Sequence, residues 1–142
     1  MNTDNKPIMP KAQIVYGEII YWLAILAAII CMIGPVIAMS SVEDNVLNPH
    51  YLFASIFEGK DAQTIWNEVG GGFPGGHFYL QHFTSGDGFT QFGLALGCGC
   101  AIWGLLAAAF CYLKDKNYLY VLLAIWVGAL ILLSAIGIVK GH

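Results

Sequence analysis

YLYVLLAIWVGALILLSAIGIV, residues 118–139, is the stretch that decides the fold class, because it contains no charged side chain. A hydrocarbon core of about 30 Å needs about 20 residues of α-helix to cross it. Inside lipid the backbone N–H and C=O groups must pair with each other, and a helix achieves this within one segment. The run therefore predicts a transmembrane helix.

Two further apolar runs, at 14–39 and 89–113, are also long enough to cross a membrane. The chain is 58% hydrophobic and 11% charged, whereas soluble domains carry about 25% charged residues. We expect an all-α integral membrane protein with three transmembrane helices and a long, partly helical outer loop between the first and second. The predicted segments are an N-terminal tail at 1–13, transmembrane helices at 14–39, 89–113 and 118–139, an outer loop at 40–88, a turn at 114–117 and a C-terminus at 140–142.

The orientation of these helices follows from the lysines, because the chain has no arginine. Cytoplasmic segments carry an excess of basic residues. Four lysines lie before the first helix or in the 114–117 turn, which are on one side of the membrane: Lys6, Lys11, Lys114 and Lys116. Two lysines, Lys60 and Lys140, lie on the other side. We therefore expect a multi-pass protein of the bacterial inner membrane with a cytoplasmic N-terminus, a periplasmic loop and an outer C-terminus.

The loop carries its own signals for two short helices. Asn48 before Pro49, and later Asp61, favour helix starts, and Gly59 and Gly70 follow the two stretches. Both stretches are amphipathic, which is typical of helices that lie on a membrane surface or against a partner. The sequence TSGDG at 84–88 offers capping oxygens for the second transmembrane helix.

The fragment GGGFPGGHFYLQHF at 70–83 holds the candidate cofactor residues, His77, Tyr79 and His82. Histidine is the usual axial ligand of haem b, but two histidines five residues apart on one helix point about 140° away from each other. None of the predicted spans contains a histidine, which disfavours a haem held by this chain alone. A quinone site would use the aromatic rings together with donors for the quinone carbonyls. We expect no cofactor in the chain alone, with a haem b or quinone site shared with a partner as the alternative.

No recognised metal-ligand spacing is present in the loop. The favoured interpretation of the fragment is one interfacial aromatic cluster, whose polar ring atoms reach lipid headgroups or backbone. Its predicted members are Phe73, His77, Phe78, Tyr79, His82 and Phe83.

Small residues recur at helical spacing in the second and third transmembrane helices. Such rows allow close approach of helix backbones, since packing rather than hydrophobicity drives association in lipid. The predicted helix-packing residues are Gly93, Gly97, Ala101, Gly104, Ala108 and Gly128. The pattern leaves open whether the neighbour of the second helix is the first, the third or another protein, although Ala124 and Gly128 suit it.

Glu18 is the only carboxylate inside the first apolar run. Near the membrane surface such a group reaches headgroups or water, whereas deeper it needs a partner and marks a functional site. Both interpretations stay open: an interface residue, or a buried acid that pairs with a partner or relays protons.

Several function classes are disfavoured by the sequence. A net charge of −3 without basic patches excludes nucleic-acid binding. Three helices without a polar site at mid-membrane give no path for transport by this chain alone. The predicted spans contain no nucleophile constellation, so we do not expect an enzyme.

A resemblance adds to this interpretation. LKDKNY at 113–118, YVLLAIWVG at 120–128 and AIGI at 135–138, after a glycine- and alanine-rich helix, resemble an uncharacterised family of small three-span bacterial inner-membrane proteins. Members of that family are often encoded beside sulfite-exporter-like permeases, which implies an accessory role. The extended loop with GGHFY at 75–79 departs from the shorter connection of that family.

The expected function is that of a small accessory subunit in a larger inner-membrane transport or respiratory complex. It would contact lipids and a larger integral membrane subunit, and it would not act as an isolated monomer. The alternative is a membrane redox anchor that contributes its outer loop to a haem b or quinone site.

Overall fold

The computed structural model describes residues 8–136, so the predicted residues 1–7 of the tail, the end of the third span and the C-terminus lie outside the described residues. Within 8–136 every regular element is helical. The helices are α1 (Lys11–Ser40), α2 (Pro49–Phe57), α3 (Ala62–Val69), α4 (Gly86–Lys114) and α5 (Tyr118–Ala135), with short 3-10 turns at Val42–Asp44 and Phe78–Leu80. The prediction of an all-helical protein is confirmed, and α1, α4 and α5 are long and apolar enough to cross a membrane.

Two long helices begin before the apolar runs that predict them. α1 begins at Lys11, where the Pro10 carbonyl accepts hydrogen bonds from the amides of Gln13 and Ile14 at 3.0 and 3.4 Å. α4 begins at Gly86, because capping by Ser85 supports a first turn of polar residues. Hydrophobicity marks the part of a helix that suits lipid, whereas capping decides where the helix starts.

Pro35 lies inside α1, and the helix continues through it to Ser40. Proline lacks the N–H that would bond to the carbonyl four residues earlier, so the Cys31 carbonyl loses its usual helical donor. The neighbouring Gly34 leaves room for Thr90, whose hydroxyl would collide with any Cβ at this position.

The chain forms two compact units. The first, here called the loop unit, is Ile25–Gly97. The second, here called the hairpin unit, combines Met1–Ala24 with Cys98–His142, of which 8–24 and 98–136 are described.

In the loop unit, the C-terminal part of α1 packs closely on the N-terminal part of α4. A Cβ added at Gly93 would lie 2.8 Å from Ile30 Cγ2 and 2.9 Å from Cys31 Sγ. A Cβ at Gly97 would lie 3.4 Å from the Cβ of Ala27, which is ordinary contact. Glycine at 93 is therefore what allows these two helices to approach.

In the hairpin unit, α4 packs on the beginning of α1 and turns back into α5. A Cβ at Gly104 would lie 2.8 Å from the ring of Tyr16. After α4, Lys116 adopts a positive φ of 56° and the amide of Asn117 donates to the Tyr112 carbonyl at 3.0 Å. This is the hydrogen-bond pattern that ends helices with a left-handed residue, normally glycine. The rings of Tyr112 and Tyr120 stack at 5.2 Å across the turn.

Candidate functional site

Asn45 joins the end of α1 to the beginning of α4 in the loop unit. Its Nδ2 donates to the carbonyls of Ala38 and Ser41, both at 2.9 Å. Its Oδ1 accepts from the amides of Gly86 and Asp87 at 3.1 and 3.3 Å. Helix ends leave such carbonyls and amides without partners, so one side-chain amide satisfies the ends of two helices. We call this arrangement the Asn45 bridge.

Asp87 and Ser85 complete the start of α4. Asp87 Oδ2 accepts from the amide of Leu47 at 2.9 Å, and Oδ1 accepts from the amide of Gly88 at 2.8 Å. The buried Ser85 accepts from Gly88 at 3.2 Å and donates its hydroxyl to the His82 carbonyl at 2.6 Å. A carboxylate in the first turn is also favoured by the helix dipole. The Asn45 bridge and these contacts tie residues 45–47 to the α4 start.

Beside these contacts the loop unit contains a largely apolar cavity of about 380 Å³. This volume falls within the range of small-molecule sites. Its walls are mostly aliphatic and aromatic, and Asp87, Thr90 and Gln91 supply the polar groups. The principal apolar lining residues are Leu47, Leu52, Phe53, Trp66, Phe78 and Leu94.

Each polar side chain around the cavity makes at least one hydrogen bond to the backbone. The Thr90 hydroxyl donates to the Gly86 carbonyl at 2.7 Å, and Gln91 Nε2 donates to the Gly76 carbonyl at 2.7 Å. The Asp87 carboxylate accepts from two backbone amides. Gln91 Nε2 keeps a second N–H, but the walls are almost entirely apolar, so this cavity is better suited to hydrocarbon, such as an acyl chain or a neighbouring apolar side chain.

The residues of the 70–83 fragment separate into two aromatic groups rather than one cluster. Trp66 contacts Phe73 and Phe78, with ring centroids 5.1 and 6.2 Å apart. The second group consists of Tyr79, Phe83, Phe89 and Phe92, in which the ring centroids of Phe83 and Phe92 lie 5.1 Å apart. The division falls inside the 3-10 turn at Phe78–Leu80, where Phe78 contacts Trp66 and Tyr79 contacts Phe92. With three residues per turn, successive side chains of a 3-10 helix point about 120° apart.

The glycines of this fragment adopt backbone conformations that let the chain reverse after α3. Gly71, Gly72 and Gly75 have φ angles of 67°, 116° and 96°, which side chains larger than hydrogen rarely adopt. The Gly72 amide donates to the Trp66 carbonyl at 2.8 Å and thereby folds the chain back onto α3.

The structure places the three predicted cofactor residues outside the cavity lining. His77 and His82 are exposed, and Tyr79 is half-buried. His77 lies edge-on to Tyr79 at 6.0 Å, and Tyr79 approaches Phe92 at 6.2 Å. In residues 8–136 no group of three or more His, Cys, Asp or Glu side chains could hold a metal ion.

The predicted helix-packing residues meet different neighbours. Gly93, Gly97 and Gly104 lie against α1, and Ala108 is buried. Ala101 is half-buried. Gly128 instead lines a cavity of about 200 Å³ between α4 and α5, and a Cβ there would meet nothing within 4 Å. Within the described residues, α4 therefore approaches α1 through its glycines, while the contact near Gly128 stays open.

Charged residues connect α2 and α3 at the surface of the loop unit. Lys60 Nζ lies 2.7 Å from Glu68 and 3.0 Å from Glu58. Both contacts raise the pKa of Lys60 above its ordinary value, and the contact with Glu68 contributes most. The Thr64 hydroxyl beside Asp61 lowers the pKa of that carboxyl.

Glu18, the remaining predicted residue, is exposed and belongs to the hairpin unit.

Sequence reasoning predicted the capping role of 84–88 but missed Asn45. An asparagine five residues after the last residue of α1 is a usable signal for a cap of α1. Its bonds to Gly86 and Asp87 span 41 and 42 residues, and no local pattern indicates them.

A protein-family model matches residues 12–138 of the chain. An uncharacterized protein of Archaeoglobus fulgidus is 31% identical over 100 residues, which cover 69% of this chain and 64% of that protein. The chain thus matches less than two thirds of that relative's length. No solved structure matches the chain.

Proposed function

We propose, from the premise that the chain belongs to the uncharacterised family whose model matches residues 12–138, that it is a small accessory subunit of a larger membrane complex. In this proposal α1, α4 and α5 cross the cytoplasmic membrane with the N-terminus inside. The chain between α1 and α4 then lies on the outer side, and the cavity of the loop unit receives hydrocarbon.

The observation that carries the proposal is the exposure of α5. Ala124 is its one buried residue among those described, although the helix is apolar on all sides. One face of α5 points away from the cavity between α4 and α5. This face presents large side chains that are each at least half exposed: Leu119, Leu123, Trp126 and Leu130. A helix that contacts its own chain so little is suited to packing against another protein in the membrane.

The buried polar groups serve the packing of the chain itself. Among residues 8–136, every buried side-chain nitrogen and oxygen has a hydrogen-bond partner. In this proposal the chemistry of the complex resides in the larger subunit.

A photo-crosslinking experiment tests this proposal. A photoreactive residue at Leu123 or Leu130 of the full chain, activated in native membranes, is expected to join one larger membrane polypeptide. The matched control is the same residue at Gln63, which is exposed on α3 outside the apolar helices. Adducts with lipid alone, together with a monomeric mass after gentle extraction, would contradict the proposal.

The second candidate, a redox anchor, has a specific feature in its favour. His77 is exposed and lies beside Tyr79, which in turn approaches Phe92 on α4. An exposed imidazole could complete a haem b or quinone site of a partner. Loss of a haem absorption band from the purified complex on His77→Ala, but not on His50→Ala, would support this candidate.

A further inference from the structure

The hairpin unit carries an open groove of about 750 Å³ along α1 and the last part of α4. Its walls are mainly aromatic and aliphatic, and they contain one carboxylate, that of Glu18. Trp22 and Trp103 both line the groove and are 66% and 59% exposed. In a membrane, aromatic faces as open as these are covered by lipid or by another protein.

Glu18 is the unusual member of this groove. It lies seven residues after the α1 start at Lys11, about 10 Å along the helix. The ion pairs found in residues 8–136 are those of Lys60 with Glu58 and Glu68, so Glu18 has no cation in the described part of the chain. A carboxylate among apolar side chains of a transmembrane helix is costly unless a positive group meets it.

The chemistry of the walls matches a cationic side chain. A carboxylate binds guanidinium through paired hydrogen bonds, and tryptophan is the aromatic residue that best attracts a cation to its face. Arginine suits both contacts because its planar group stacks on rings while it pairs with a carboxylate. The chain itself contains no arginine, so a second copy cannot supply one.

A phosphate directly beside Glu18 is disfavoured, because two negative groups repel each other. Lys114 Nζ lies 4.6 Å from the ring centroid of Phe110, which also lines the groove. A guanidinium beside Glu18 meets the opposite charge there.

We propose that the groove of Glu18, Trp22 and Trp103 receives a transmembrane helix of the larger subunit, with an arginine of that helix paired to Glu18. This inference rests on the proposed accessory function and names the chemistry of the partner. Glu18 thereby selects the partner by charge, while the exposed face of α5 adds contact area without charge.

The test measures association, in nanodiscs, of the full chain with the polypeptide that crosslinks to Leu123 or Leu130. It compares Glu18→Gln with the control Glu43→Gln, an exposed carboxylate of the loop unit. Removing one member of a desolvated charge pair leaves the other unpaired, so we expect Glu18→Gln to weaken association about 100-fold. Glu43→Gln is expected to leave association unchanged. Glu18→Asp, which keeps the charge on a shorter side chain, is expected to retain part of the affinity.

The outcomes separate this inference from the proposed function. If the wild-type chain associates with no larger subunit, the accessory function itself is wrong. If it associates and Glu18→Gln binds equally well, the accessory function stands and the charge-paired groove is wrong.

Native mass spectrometry in nanodiscs of phosphatidylethanolamine and phosphatidylglycerol supplies a further check. Retention of ethanolamine lipid, or of a second copy of the chain, that is lost with Glu18→Gln would also overturn the helix as occupant.

Discussion

In the loop unit polar side chains join the helices, whereas in the hairpin unit the contacts between helices are apolar. All side-chain hydrogen bonds found within 8–136 belong to residues of the loop unit, and Asn45, Ser85 and Asp87 contribute most of them. The hairpin unit is held by contacts such as that of Gly104 with Tyr16 and by stacking of Tyr112 on Tyr120.

The difference follows from what each unit must satisfy. The loop unit contains the helix ends at Ser40 and Gly86 and the irregular chain between them, whose backbone groups need partners. The hairpin unit consists mainly of helix interiors, and in its one tight turn the amides of Lys116 and Asn117 donate back to carbonyls of α4. We therefore expect substitutions in the loop unit to impair folding, and substitutions on the outer faces of the hairpin unit to impair association.

The largest expected effect is that of Asn45→Ala. The substitution removes the bridge that satisfies amides and carbonyls at two helix ends, so the loop unit should lose about 2 to 4 kcal/mol of stability. Denaturant titration in detergent measures the free energy of unfolding, and hydrogen exchange should show faster exchange at Gly86 and Asp87. Asn67→Ala, at an exposed position on α3, is the control and should change little.

A matched pair of glycines compares the closeness of packing in the two units. Gly93→Ala places a Cβ 2.8 Å from Ile30 and should cost about 1 to 3 kcal/mol, because neighbouring atoms must move. Gly128→Ala meets nothing within 4 Å and should be neutral, or stabilising by up to about 1 kcal/mol through helix propensity. Equal effects of the two substitutions in the same unfolding assay would contradict the described packing.

The turn of the hairpin unit offers a smaller, stabilising change. Lys116 has a φ of 56°, a conformation that costs a residue with a side chain about 1 kcal/mol relative to glycine. Lys116→Gly should therefore raise the thermal midpoint, whereas Lys116→Ala, which retains a Cβ, should not. A rise with both variants would assign the effect to the lost charge instead.

The smallest expected effect concerns pH at the surface of the loop unit. Folding raises the pKa of Lys60 through Glu68 and then Glu58, so the charged form stabilises the folded state. This contribution is complete below the ordinary lysine pKa of about 10.4 and is lost as pH rises through the raised value. Unfolding profiles of wild type and Lys60→Met should converge in alkaline solution. A difference that persists there would show that Lys60 acts through packing of its stem.

The predictable part of the candidate site is its local part. Asn48 accepts from the His50 amide at 3.0 Å at the start of α2, as expected from the asparagine before a proline. Ser85 and Asp87 likewise lie at the start of α4. These contacts span a few residues, so the sequence pattern contains both partners. The cavity, by contrast, combines side chains as distant as Pro35 and Leu94.

The sequence by itself determined three long apolar helices and the short helices between the first two of them. The reason is that helix hydrogen bonds and caps are local and that hydrocarbon length alone defines a span. Only the tertiary structure decided that Asn45 bridges two helix ends and that the 70–83 fragment divides into two aromatic groups. The tertiary structure also decided that the glycines of α4 meet α1. Those outcomes depend on contacts between residues far apart in the chain, where small residues permit several neighbours and packing selects one.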